Sequence, residues 1–246
     1  MYKRQVQGRP VGMTKEEAKD STIIDHADVR RTLMTIKSYL DAMRYMNYDN
    51  HLMLDLEYFA EGELKDFGKE RCGILTPITK AWISDLSVEL TSMAIQVYGG
   101  MGYVEETGIA QYFRDARIAP IYAGTNGIQA EDLVFRKITL NDGKAVESLL
   151  KEMRTNISSM KEHENLEPLS EILERHVAEI EEATQYLLKE LGKGNLAGVS
   201  ASGTPYLKMF GQVLGGHYMG KAAVTATKNL LEDNTCLLYT SPSPRD

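Results

Sequence analysis

Apolar residues recur at intervals of three and four through most of the chain. Between Ile24 and about Ala60 they fall at Leu33, Ile36, Leu40 and Met43, the spacing that gathers side chains on one face of an α-helix. Asp25 stands ahead of the run as a candidate N-cap. Thr76 followed by Pro77 reads as the cap and first position of a second helix, with Trp82, Leu86, Leu90, Met93 and Val97 along one face and Gly99 ending it. A short, charged third helix covers Gln111 to Arg117 and stops before Pro120. A fourth starts near Thr125 and carries Ile128, Val134, Phe135 and Ile138.

Beyond Asn141, Asp142 and Gly143 the pattern changes. Val146, Leu149, Met153, Ile157 and Met160 form a heptad-like stripe, and Leu169, Leu173, His176, Ile180, Thr184, Leu187 and Leu191 form another. The glycine- and serine-bearing stretch 192–203 reads as a flexible loop. Thr204 and Pro205 then open a last helix through Phe210, Val213, His217, Val224 and Leu231. Residues 1–22 read as a helix exit and a polar loop. No segment alternates with period two for long enough to make a sheet. The prediction is therefore an all-α protein of two helical bundles, covering residues 1–140 and 141–235.

The 246 residues suffice for one or two domains, and 43% are apolar, enough for a core. A net charge of -7 argues against a nucleic-acid surface, which needs clustered Lys and Arg. Cys72 and Cys236 make no disulfide framework and suit a reducing compartment, so a cytoplasmic location is expected. No apolar run is long enough to span a membrane. The five histidines have neither i, i+4 partners nor a cysteine at ligand spacing, so no metal site is expected. A Gly-x-Ser-x-Gly nucleophile motif is also missing.

Chemistry concentrates in residues 96–129. Gly99, Gly100 and Gly102 close one helix, Arg114, Asp115 and Arg117 follow, and Tyr122, Ala123, Gly124 and Thr125 lead into another. Helix boundaries of this kind carry backbone N–H groups suited to an anion. The Gly-x-Gly piece alone serves equally as a helix C-cap, because no strand precedes it. Arg114 and Asp115 are adjacent and cannot share a helix face, so structural ion pairing across the bundle competes with phosphate binding.

The ordered set Gln-x-x-Gly-Gly-x-Gly-Tyr from Gln96, Arg-Asp-Ala-Arg from Arg114, and Ile-Tyr-x-Gly-Thr-x-x-Ile-Gln from Ile121 resembles the C-terminal four-helix flavin bundle of acyl-CoA dehydrogenases, over residues 1 to about 140. The second helical set resembles the subgroup that includes 3-methylmercaptopropionyl-CoA dehydrogenase. The resemblance implies a homodimer or tetramer that binds FAD, passes electrons to a flavoprotein acceptor, and oxidises the Cα–Cβ bond of an acyl-CoA to a 2-enoyl-CoA. It implies that Gln96, Gly99 and Gly100 meet the ADP half of a neighbouring subunit's FAD, and that Arg4 pairs with the same pyrophosphate. Thr125 would meet the flavin of its own subunit, with an ordinary N-cap as the alternative. Tyr122 would lie beside the thioester, or else serve as a core tyrosine. Gln7 replaces the aromatic residue that usually follows Arg4.

The family's usual catalytic base is a glutamate at the position of Ala123. Alanine accepts no proton, and losing a general base costs roughly 10²- to 10⁴-fold in rate. Three readings remain open: a glutamate on the helix preceding Tyr2, a lapsed or repurposed flavoprotein of the same fold, or a base among Glu105, Glu106 and Glu131. The first two residues of that trio read as solvated loop positions and Glu131 as a solvated helix turn. The family's N-terminal helical and middle β-domains are expected upstream of these residues, which alone should not catalyse. Residues 236–246 resemble a sequencing-library adapter translated in frame and are set aside from fold and function.

Overall fold

The computed structural model describes residues 8–231. Within them every regular element is helical. Short 3-10 turns at Glu17–Asp20 and Ile23–Asp25 lead into α1 (Ala27–Phe59) and α2 (Gly62–Tyr98). Leu56 neighbours Gly68, Asn50 neighbours Thr76 and Tyr39 neighbours Trp82, the order of an antiparallel pair. Then come α3 (Gly100–Tyr103), α4 (Ile109–Ala116) and α5 (Asn126–Asp132), the last running into a π turn at Leu133–Lys137. Asn141, Asp142 and Gly143 all take positive φ, and after this reversal follow α6 (Lys144–Lys161), α7 (Glu167–Gly192) and α8 (Leu196–Leu231). Arg4, Gln7, Cys236 and the adapter-like stretch lie outside the described residues.

Two helix starts differ from the sequence expectation. α2 begins at Gly62, fourteen residues before Thr76, and Pro77 is buried inside it. An interior proline costs about 3 kcal/mol by removing a hydrogen bond and crowding the carbonyl four residues back. Here that residue is Gly73, and Arg71, Cys72, Ile74 and Leu75 ahead of the proline are all buried. Packing of the earlier turns on α1 outweighs the local stop signal. Likewise α8 starts at Leu196, so most of the expected loop is helix and Pro205 is interior. The true turn is tighter, with Gly194 at φ +75°. Asp25 is not the cap of α1; it forms a capping box with Thr22 one turn earlier, and His26 precedes the helix.

α8 is the element that both helix sets share. Against α7 it runs antiparallel, with the Tyr206 and Thr184 hydroxyls 2.6 Å apart. On its other side Gly211 and Gly215 lie directly on the Trp82 indole of α2: a Cβ at Gly211 would stand 2.4 Å from Trp82 Cγ. Gly203 packs on the Ala130 backbone of α5, where a Cβ would stand 3.3 Å from the carbonyl oxygen. One apolar core therefore runs from Met46, Ile78 and Leu133 through Phe210 to Leu149, Met153 and Ile180. The α6 stripe is fully inside, as its periodicity predicts. On α1 the buried residues are Ala42, Met46 and Met53, whereas the expected Leu33, Ile36, Leu40 and Met43 are only half-buried, because α2 and α8 take up a different face of a helix that is apolar on two.

A polar seam crosses the same junction. Arg71 of α2 donates to Glu152 of α6 at 2.6 Å, Lys221 of α8 lies 3.1 Å from the same carboxylate, and His217 Nε2 is 3.6 Å away. Asn156 donates to the His217 carbonyl at 3.0 Å, and Tyr218 donates to Asp49 of α1 at 2.6 Å. His217, with Arg71 and Lys221, holds the Glu152 carboxyl well below the ordinary range against the opposing effect of its burial.

Candidate functional site

α2 ends because Gly99 turns out of the helix at φ +65°, a conformation that favours glycine, while its N–H closes on the Gln96 carbonyl at 3.0 Å. Gln96, Gly99 and Gly100 are all exposed, and no atom comes within 4 Å of where a Cβ would stand on either glycine. The backbone of this turn is open to a ligand. Gly102 differs: a Cβ there would meet the Ile95 carbonyl oxygen at 2.4 Å, so its glycine serves packing of α3 on α2.

The cluster around Arg114 turns inward on its own segment. Arg114 pairs with Glu105 at 3.4 Å and donates to Gln111 at 2.6 Å, and Gln111 donates to Asp115. The ion pairing is thus local to α4 and the turn before it, not across the bundle.

After α4 the chain passes through residues 117–125, with the Tyr122 N–H donating to the Ile118 carbonyl and the Asn126 N–H to the Pro120 carbonyl. Ala123 takes φ +54° and Gly124 φ +79°. Thr125 is the N-cap of α5, its Oγ1 accepting from the Ile128 N–H at 3.3 Å, so the cap role is met while the residue stays exposed. Tyr122 is 61% exposed, which excludes a core role within this chain. Of the candidate bases, Glu105 is tied to Arg114 and Glu131 accepts from Ser200 of α8 at 2.9 Å; Glu106 is exposed.

What the sequence did not reveal is how the 122–125 stretch is held. Lys80 Nζ donates to the Gly124 carbonyl at 2.6 Å and to Asn126 Oδ1 at 2.8 Å. Asn126 Nδ2 in turn reaches the Ala81 carbonyl, Ser84 Oγ and Asp85 Oδ1 at 3.1, 2.9 and 2.7 Å. The available signal was Lys80, Ser84 and Asp85 at i, i+4 and i+5 within an apolar stretch. Since Lys80 fixes the loop to α2 sixteen residues before Gln96, the two predicted contact sets stand about 24 Å apart along that helix at 1.5 Å per residue. One chain does not bring them together. No group of three or more possible metal ligands exists among the described residues, nor any helix long and apolar enough to cross a membrane.

Residues 13–137 match the family model for the acyl-CoA dehydrogenase C-terminal domain, and residues 149–239 match the acetyl-CoA dehydrogenase C-terminal-like model. The 3-methylmercaptopropionyl-CoA dehydrogenase of Ruegeria pomeroyi is 32% identical over 92% of the chain and 38% of its own length. A butyryl-CoA dehydrogenase of Syntrophomonas wolfei is 35% identical over 56% of the chain and 23% of its length. Among solved structures, Bd2924 in its apo form aligns with a TM-score of 0.60 at 20% identity, covering 89% of this chain and 37% of that one. Caenorhabditis elegans ACDH-11 in complex with C11-CoA aligns with a TM-score of 0.59 at 20% identity, covering 86% and 35%. These two likenesses concern the fold. The chain spans well under half the length of each of these proteins.

Proposed function

The chain belongs to the acyl-CoA dehydrogenase family, and we propose that it supplies the FAD-binding helical part of an enzyme that oxidises an acyl-CoA thioester to a 2-enoyl-CoA. The observation that carries this reading is the open glycine turn at Gly99 and Gly100 together with the capped, exposed helix start at Thr125. A polyanionic dinucleotide fits the first, since a bare backbone can approach pyrophosphate closely. In this reading Gln96, Gly99 and Gly100 hold the ADP half and Thr125 the flavin end, contributed by two subunits. The separation of the two sets on one chain supports that division. Arg4 would add a charge-assisted contact to the pyrophosphate.

When bound, FAD supplies the acceptor for the hydride leaving Cβ. The residues here orient and enclose: Tyr122 would lie along the thioester, and the loop around Ala123 would form part of the wall beside Cα. Ala123 takes no part in proton removal, so the α-proton passes to a carboxylate elsewhere. A glutamate preceding these residues, as in some family members, meets that need. Ala123 also favours a second reading, a flavoprotein of the same fold that no longer dehydrogenates.

The test joins these residues to the part of the Ruegeria pomeroyi relative that they do not match. A yellow protein that bleaches anaerobically with acyl-CoA supports the dehydrogenase. Persistent colour across acyl-chain lengths supports the second reading, and a colourless protein contradicts both.

A further inference from the structure

The strand of chain carrying Ala123 is held in a conformation it would not adopt unaided. A non-glycine residue in the left-handed region is strained and persists only where its surroundings impose it. Ala123 is a residue of this kind, at φ +54°, and is followed by Gly124 at φ +79°, where glycine adopts the conformation freely. The Lys80 ammonium donates at 2.6 Å to the carbonyl of Gly124, which fixes the peptide plane entering the Thr125 cap. It also donates to Asn126 Oδ1, whose Nδ2 is taken up by three acceptors of α2. Gln129 Nε2 reaches back to the Ala123 carbonyl at 3.5 Å. Beyond Asp85, at 3.7 Å, stands Lys208 of α8.

We propose that Lys80 is the positioning residue for the 122–125 stretch, and that Lys208 extends the same control to α8 through Asp85 and Asn126. The functional part of this inference rests on the flavin reading; the clamp itself stands on the distances. A lysine suits the position, because a charged donor makes a stronger hydrogen bond to a carbonyl than a neutral one does. Burial pushes the Lys80 ammonium below its ordinary pKa, with Asp85 opposing. Methionine is of similar length without a donor, and arginine keeps the charge and the donors. Coupling to α8 follows from the chain of contacts: this relay joins Asn126 to Lys208 of α8 through Asp85, beside the packing of Gly203 on Ala130 and the Ser200–Glu131 hydrogen bond that join α8 to α5.

The experiment is hydrogen exchange by mass spectrometry on the full chain, read at the amides of Tyr122, Asn126, Ile128 and Gln129, which close hydrogen bonds within this loop and cap. Lys80→Met should raise their exchange at least about tenfold, as expected for losing a charged hydrogen bond, and Lys80→Arg should restore most of the protection. Lys208→Met, at a half-exposed side chain, should give a smaller rise at the same amides and keeps the test open if Lys80→Met fails to fold. FAD affinity, followed by flavin fluorescence, should weaken in Lys80→Met and recover in Lys80→Arg. Unchanged exchange in folded variants overturns the clamp. Raised exchange with unchanged FAD affinity overturns the positioning role. If the wild-type chain takes up no FAD, the flavin reading fails and the exchange result alone decides the clamp.

Discussion

The Arg71 guanidinium, with 5% of its side chain exposed, lies 2.6 Å from the Glu152 carboxylate and ties α2 to α6. It also sits 5.2 Å from the centre of the Phe67 ring. An arginine this deep is tolerated because its charge is met. Removing one partner of a buried pair typically costs about 3–5 kcal/mol, whereas replacing both is often nearly neutral. Glu152→Ala should fall at the low end of that range, since its side chain is 36% exposed and water can enter. Urea midpoints for Glu152→Ala, Arg71→Met and the double variant check this, with the double variant expected to lose less than the two single losses added.

The same carboxylate sets an acid limit. His217, Arg71 and Lys221 depress its folded pKa, while the unfolded chain returns it to about 4.3. The folded state therefore binds fewer protons, and the stabilisation is present above that ordinary value and lost as pH falls towards the folded one. Melting temperatures between about pH 6 and pH 3 should fall more steeply for wild type than for Glu152→Gln, which lacks this titration.

Trp82 leaves no room above it. Gly211→Ala would place a methyl 2.4 Å from Trp82 Cγ, and overpacking of this kind costs about 1–3 kcal/mol. Adding Trp82→Phe should return little of the loss, because phenylalanine keeps the Cβ and Cγ atoms that the new methyl would meet. Equilibrium unfolding of the single and double variants measures both effects.

Thr125→Ala removes the cap that accepts from the Ile128 N–H. About 1 kcal/mol of local stability should go with it, and Thr125→Ser should keep the cap. If Thr125 serves only as a cap, FAD affinity will follow stability in both variants; a contact to flavin predicts weaker binding in Thr125→Ala than the cap loss accounts for.

Periodicity made the α-helical class, the α6 stripe and the Thr125 cap legible, because each depends on neighbours in sequence. Thr76 with Pro77 and Thr204 with Pro205 misled, since both prolines lie inside helices whose close contacts with α1 and α5 are made by residues distant in sequence. The face of α1 that packs inward was equally hidden, as a helix apolar on two sides does not state which side meets a partner. Gly99 as a helix end was readable; the Lys80–Gly124 bond was not, because it joins a helix face to a loop carbonyl 44 residues away.

In the proposed function FAD is shared between two chains, across the Gly99–Gly100 turn of one and the Thr125 cap of the other. FAD titration with simultaneous light scattering tests it most directly. The prediction is saturable uptake confined to dimers or larger assemblies and abolished by Gly100→Asp, which sets a carboxylate against the pyrophosphate. Uptake by a monomer that is indifferent to Gly100→Asp, or no uptake at all, would contradict it.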